Sequence, residues 1–242
     1  MIHHEQRGLV ALVTIDRQER RNAVDHEALE ALAAAIDAAT AAGTRALVLT
    51  GAGGYFCAGA DLTGVEDTAF VAVLRTVLFG LRDAAYPTIA AVEGPALGAG
   101  SQLAVACDLR TATPSARFGI PAARLGLAVD QWTVQRVALL AGQGPARAML
   151  LAAESVSGEE AVRLGLAQRL GGLGDALAWA EEIAALAPLT IAAHKLMLNR
   201  LEHAPVDDAD VDAAFSRAWR SADLQEGLVA FREKRPPVFR GE

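Results

Sequence analysis

The groups best placed to do chemistry in this chain are backbone amides at two glycine-rich corners, not side-chain nucleophiles. Thr88 to Val92 reads as a buried strand, and Gly94, Pro95, Gly98 and Gly100 carry the chain into an apolar helical run from Ser101 to Ala106. A strand that feeds a glycine turn and then a helix N-terminus leaves several N–H groups unpaired and pointing outward. Such a corner is a preformed anion site, and it is an oxyanion hole if the anion is a carbonyl oxygen gaining charge during a reaction. An earlier stretch, Tyr55 to Leu62, follows the strand Arg45 to Thr50, and its small residues let a ligand approach the backbone closely. Two such corners can grip one oxygen.

The side-chain candidates are weaker. Ser101, in Gly98-Ala99-Gly100-Ser101-Gln102, lacks the spacing of a nucleophile elbow, and none of the 5 histidines falls in a site motif. The 2 cysteines, Cys57 and Cys107, form neither a CxxC pair nor a Cys/His cluster, so they read as buried thiols and not as a disulfide or zinc site. Gly51 to Phe56 fails as a dinucleotide fingerprint, because Phe56 takes the last small position and no helix opens directly from the glycines. Asp61 reads as a cap for the turn that follows it. Asp130 is an acid close to the organising stretch, and it is either a proton carrier or the N-cap of a helix starting at Gln131.

The segment TGAGGYFCAGADL, followed further along by IAAVEGPALGAGSQLAVACDLR, resembles the crotonase (enoyl-CoA hydratase/isomerase) superfamily, and the likeness covers nearly the whole chain. The resemblance implies that the backbone N–H groups of Ala60 and Ala99 hold the thioester oxygen of an acyl-CoA and stabilise an enolate. Ala99 stands where glycine is usual. In the hydratase branch, one glutamate lies two residues after the last glycine of the second corner, and another follows the proline of an FGxPE segment. Here those positions are Gln102 and Ala122. An amide does not titrate near neutral pH and a methyl group carries no proton, whereas a positioned acid or base contributes roughly 10²- to 10⁴-fold. The spacing of Asp130 from Ala122 is similar to that of the aspartate in the dienoyl-CoA isomerase branch.

Other segments supply the walls. Leu9 to Ile15 alternates as a strand, and Asp25 caps a helix from His26 to Ala42. The loop between them resembles the family's RPExxNAL segment, with Gln18 where proline is usual. That likeness makes Arg20 and Arg21 either phosphate contacts for CoA or a solvated charge cluster, and it adds Ala58 and Asp61 to the CoA-binding residues. A helix from Asp67 to Leu81 aligns Phe70, Leu74 and Leu78 on one face, as core or as acyl pocket. Helices are expected over Gln131 to Ala141 and Gly144 to Ala152, with Trp132 as a core aromatic or a pocket wall opposite the space left by Ala122. Ser157 and Glu160 form a capping box opening a short helix through Leu164, and Gly165 to Leu170 resembles the family's strand after its SGEEAxxLGL motif. The pattern then turns purely helical: Asp175 to Ala187, Leu189 to His203, Val206 to Trp219 and Leu224 to Lys234. In the tail, similar to the family's EGxxAFxEKR, Phe231 and Lys234 match residues that contact CoA, often from a neighbouring subunit. Lys234 also suits a helix C-terminus as a plain cation.

The expected fold class is α/β, a crotonase (ClpP/crotonase-like) fold of repeated ββα units. Its parts are a core at 1–172 with the acyl-CoA site and a helical region at 173–242 for trimerisation and CoA contact. The resemblance implies a homotrimer or a hexamer built as a dimer of trimers. A chain of 242 residues with 52% hydrophobic residues is ample for a large core, and a net charge of −7 argues against nucleic acid as the main partner. No apolar run reaches a membrane span, and the start of the chain is too polar for a signal peptide, so a cytoplasmic location is expected. Its alanine richness points to a bacterial source. No cofactor is expected beyond acyl-CoA as ligand or substrate. Two functions compete: a fatty acyl-CoA-binding protein of lipid metabolism with little or no hydratase turnover, which leaves a protein partner in that metabolism open; and an enzyme, either an enoyl/dienoyl-CoA isomerase using Asp130 or a weak enoyl-CoA hydratase acting as a lyase.

Overall fold

The computed structural model describes residues 1–61, 68–200, 216 and 219–238. The expected helix over Val206 to Trp219 and the starts or ends of the helices at Asp67 and His203 lie wholly or partly outside the described residues.

A six-stranded sheet has the order β1-β2-β3-β4-β6-β9. Its strands are β1 (Ile2–Arg7), β2 (Val10–Ile15), β3 (Ala46–Gly51), β4 (Thr88–Val92), β6 (Leu109–Ala112) and β9 (Arg169–Leu170). All neighbours run parallel except β1, which pairs antiparallel with β2, Arg7 opposite Val10. A second sheet of three short strands, β5 (Pro95–Leu97), β7 (Arg117–Gly119) and β8 (Ser155–Ser157), lies in the order β5-β7-β8.

The central strands read as continuous apolar runs because both faces of the large sheet are covered. Alternate residues serve different layers. Ala11, Val13, Leu47, Leu49, Ala90 and Val92 face the main core, which they share with α1 (His26–Ala41), α2 (Thr68–Asp83), α3 (Ala99–Ala106) and α4 (Gln131–Ala141). Val10, Leu12, Val48 and Ile89 face the other way, against Ala176, Ala180 and Ile183 of α7 (Leu173–Ala184). Between them come α5 (Gln143–Leu151) and α6 (Gly158–Leu164), and α8 (Pro188–Arg200) and α9 (Ala222–Glu233) follow.

Local signals act where expected. Asp25 caps α1 by accepting from Ala28 N–H, and Ser157 caps α6 by accepting from Glu160 N–H. The all-helical stretch begins at α7, which lies flat on the outer face of the sheet, and α9 folds back onto the 3₁₀ turn Pro121–Leu125. That contact is close: a Cβ on Gly227 would lie 2.2 Å from the Leu125 carbonyl oxygen.

Two glycines test how tightly backbone is packed on backbone. A Cβ at Gly100 would sit 2.0 Å from the Cys57 carbonyl oxygen, whereas one at Gly80, inside α2, would meet only Ile36 at 3.7 Å. Gly100→Ala should therefore destabilise the fold by about 2 kcal/mol or more. Gly80→Ala should stabilise it by about 0.5–1 kcal/mol through helix propensity. Chemical denaturation of both variants measures the difference in sign.

Candidate functional site

The two glycine corners meet side by side. Cys57 and Ala96 form a parallel bridge, with Cys57 N–H donating to Pro95 O at 2.9 Å and Leu97 N–H to Cys57 O at 3.0 Å. Gly59 (φ 126°) and Gly98 (φ 53°) occupy backbone regions that favour glycine, and their approach leaves a would-be Cβ on Gly98 only 3.9 Å from Gly59 Cα. Ala60 sits next to Gly59, and Ala99 opens α3, where N–H groups of the first turn have no helical acceptor. Among the described residues neither N–H meets a backbone acceptor.

Both alanines line a cavity of about 480 Å³. It is lined by Phe70, Leu74 and Leu78 of α2, by Leu97 of β5 beside the corners, by Leu125, Leu127 and Val129, and by Trp219 and Phe231 from the C-terminal part of the chain. Phe70, Leu74 and Leu78 are at the same time buried core residues, so packing and pocket roles coincide. Gln102 and Ala122 both line the cavity, as does Ala58. Among the described residues its charged lining is Arg75, Arg124 and Asp130.

Asp130 caps α4: its Oδ1 accepts from Thr133 N–H at 3.1 Å and from the Thr133 hydroxyl. Gln102 Nε2 donates to Thr133 Oγ1 at 2.9 Å. The capping role is thus present, and the carboxylate also faces the cavity. Thr133 escaped the sequence reading, although the Asp-x-x-Thr spacing across a helix start is the signal that could have found it.

Several expected site residues sit elsewhere. Trp132 is turned into the core at 3% exposure, its ring 5.4 Å from that of Phe79, and it is not among the cavity-lining residues. The reason is helical phase: Val129 and Asp130 precede α4 and face the cavity, whereas Trp132, in its first turn, points inward. Arg20 and Arg21 are exposed on the loop beside the first corner, outside the cavity lining, with Arg20 Nε 3.9 Å and Arg17 Nη2 3.6 Å from Asp61 Oδ2. The turn that Asp61 was expected to cap lies outside the described residues. Lys234 is exposed and closes α9 in the left-handed conformation, while Phe231 lines the cavity from its own chain.

Asn22 was missed as a functional support. Fully buried, it donates to Ala52 O at 2.8 Å and to Tyr55 O, and accepts from Arg17 N–H at 2.9 Å, which clamps the first corner. Ser101 is no nucleophile: its hydroxyl donates to Ala96 O at 2.6 Å or Gly119 O at 3.0 Å and accepts from Gly119 N–H. It ties α3 to the small sheet.

A strand-corner-helix core with an apolar cavity at the paired corners defines a class, the crotonase-fold proteins. An enoyl-CoA hydratase/isomerase family model matches residues 5–242, and the chain belongs to that family. It is 45% identical over 249 residues to the protein named "Probable enoyl-CoA hydratase echA6" of Mycobacterium tuberculosis, across the full length of both. It is 33% identical to the mitochondrial methylglutaconyl-CoA hydratase of Mus musculus, covering all of this chain and 82% of that one. Among solved structures, an enoyl-CoA hydratase/isomerase from Pseudoalteromonas atlantica superposes with a TM-score of 0.89 at 29% identity, covering 99% of both chains.

The same corner holds one thiol, Cys57, and the far end of α3 holds the other, Cys107. Burial pushes both up to about 12, from an ordinary value of 9.0. At pH 8 both are neutral and enclosed, so iodoacetamide should label neither in the native protein and both after denaturation. Because the unfolded chain releases these protons first, stability should fall as pH rises from about 9 towards 12. A denaturation series across that window checks the sign.

Proposed function

We propose that this protein binds a fatty acyl-CoA, with the thioester oxygen received by the N–H groups of Ala60 and Ala99, and that it has little or no hydratase activity. The observation that carries this reading is the pairing of two amides without a backbone acceptor beside an apolar cavity lined by Gln102 and Ala122, the positions at which the resemblance puts the hydratase glutamates. The donors are backbone and held by neighbouring backbone, so they cost no reorganisation when an oxygen arrives. Proton delivery to an enoyl chain needs a titrating group, and neither side chain supplies one. Arg20, Arg21, Ala58, Asp61, Phe231 and Lys234 lie towards the CoA end on this reading, with assembly as a trimer or dimer of trimers through the helical C-terminal region, in the cytoplasm.

A second reading, enoyl or dienoyl isomerisation, is favoured by one observation: Asp130 faces the cavity with its second carboxylate oxygen unpartnered among the described residues. A carboxylate there can shuttle a proton along an acyl chain.

Calorimetric titration with acyl-CoA, run beside turnover assays on enoyl- and dienoyl-CoA, separates these. Micromolar binding without turnover is the expected result. Hydration of crotonyl-CoA by the unmodified protein would sink the first reading, and isomerisation abolished by Asp130→Asn would establish the second. The double variant Gln102→Glu, Ala122→Glu should raise hydration by roughly 10²- to 10⁴-fold. Ala99→Pro tests the oxyanion site directly. Proline is tolerated at the first helical position, so the fold should survive while one donor is lost and acyl-CoA affinity falls about tenfold or more.

A further inference from the structure

We infer that β1 is the docking edge for a second copy of this chain, the two β1 strands pairing antiparallel about a two-fold axis at His4. The bond pattern of β1 leaves one side open. Asp16 N–H donates to Met1 O at 2.8 Å, which makes Met1 and Asp16 a hydrogen-bonded pair in the register that sets Ile2 opposite Ile15. Such pairs alternate along an antiparallel ladder, so His3, Glu5 and Arg7 turn their N–H and C=O groups to β2 while Ile2, His4 and Gln6 turn theirs away. Among the described residues no backbone group from another element meets the main chain of Ile2, His4 or Gln6.

Open edges are a liability, and proteins blunt them with a short strand, a proline, a lysine or a bulge. The opposite edge of this sheet is blunted, since β9 consists of Arg169 and Leu170 alone. Strand β1 has 6 residues, no proline, no lysine and an unbroken one-to-one register with β2, and it is exposed from His3 to Arg7. Charged side chains are the guard that remains, and against a second β1 they select one register instead of blocking all. With the axis at His4, the outward groups of Ile2, His4 and Gln6 on the two strands form about six hydrogen bonds, and His3 of each strand stands opposite Glu5 of the other. Moving the axis to Glu5 sets that carboxylate against its own copy and Arg7 against His3, and moving it to His3 sets that ring against its copy. Either shift also loses about two of the bonds. Within one chain, Arg7 Nη2 lies 2.8 Å from Glu5 Oε2 and His3 Nε2 lies 3.3 Å from Asp16 Oδ2, so Glu5 Oε1 and His3 Nδ1 are the atoms left for the cross-strand pair. A contact of this kind is isologous and closes on itself. If the C-terminal helices bring chains together in threes, the same pairing joins two trimers through repeated copies of one short contact, each reinforced by the others.

The test is a cysteine scan of β1 in the full chain, whose own thiols, Cys57 and Cys107, are buried. Facing Cα atoms about 5.5 Å apart in a hydrogen-bonded pair lie within disulfide range. Under mild oxidation His4→Cys should form a disulfide-linked dimer about tenfold faster than His3→Cys or Glu5→Cys, because only the residue on the axis faces its own copy. In parallel, sedimentation should give the unmodified protein an even number of chains and His4→Pro half that number. Proline suits this position, because the N–H it removes points away from β2, and the far-ultraviolet circular dichroism of the variant should be unchanged. If His4→Pro does not fold, the cysteine scan decides alone. Absence of a His4→Cys dimer, equal or faster cross-linking at the neighbouring positions, an odd number of chains in the unmodified protein, or an assembly that a folded His4→Pro leaves intact overturns the inference.

Discussion

The site depends on backbone packed against backbone where the two corners meet. The Cys57–Ala96 bridge sets the spacing, and Gly100 sits so close to the Cys57 carbonyl that a methyl group has no room. Because the contact involves carbonyls and amides, no side chain can relax to change it. The directions of the Ala60 and Ala99 N–H groups are consequences of that contact. Asn22 holds the first corner from outside and Ser101 ties the second to the small sheet, so both are fixed to neighbours other than each other. A site of this kind tolerates change in its side-chain lining far better than change in its glycines.

The far end of α3 is held with equal care. Arg110, fully buried, donates to Ala104 O at 3.1 Å and Cys107 O at 2.7 Å, and Arg136 Nε donates to Val105 O at 2.8 Å. Burial pulls Arg110 down to about 10, and it remains charged at neutral pH, where a cation suits the carbonyl end of a helix. Arg136 is lowered for the same reason, with Asp108 opposing the shift. Asp108 in turn binds Lys195 Nζ at 2.7 Å and Thr88 N–H at 2.7 Å, linking α8, β4 and the end of α3. A helix of eight residues has little stability alone. Anchored at both ends, it presents Ala99 and Gln102 in one register.

What the sequence made legible were features whose cause is local. Thr88–Val92 and the glycines after it announce a strand and a corner, and Asp25, Asp130 and Ser157 announce helix starts through their own side chains. Strand β1 stayed hidden because Ile2–Arg7 is polar and exposed along nearly its whole length, and its strand character comes from pairing with β2. Strands β5, β7 and β8, three residues each, carry too few residues for a period to show. The clamp at Asn22 and the relay through Thr133 escaped notice because their partners lie 30 to 33 and 31 residues away. For Trp132 the sequence leaves core and pocket wall both open, and the turn of the helix decides for the core.

An amide at Gln102 bears on the energetics of the cavity as well as on its proton chemistry. A glutamate in an apolar enclosure would bear a large desolvation cost. Gln102 is only 8% exposed, and as a neutral group it accepts enclosure at the cost of hydrogen bonds alone, one of which Thr133 already supplies. The neutral amide at Gln102 adds no full charge beside the Ala60 and Ala99 N–H groups, which leaves Asp130 as the carboxylate among the described lining residues. Attraction between fixed dipoles and a carbonyl is strengthened where water is excluded.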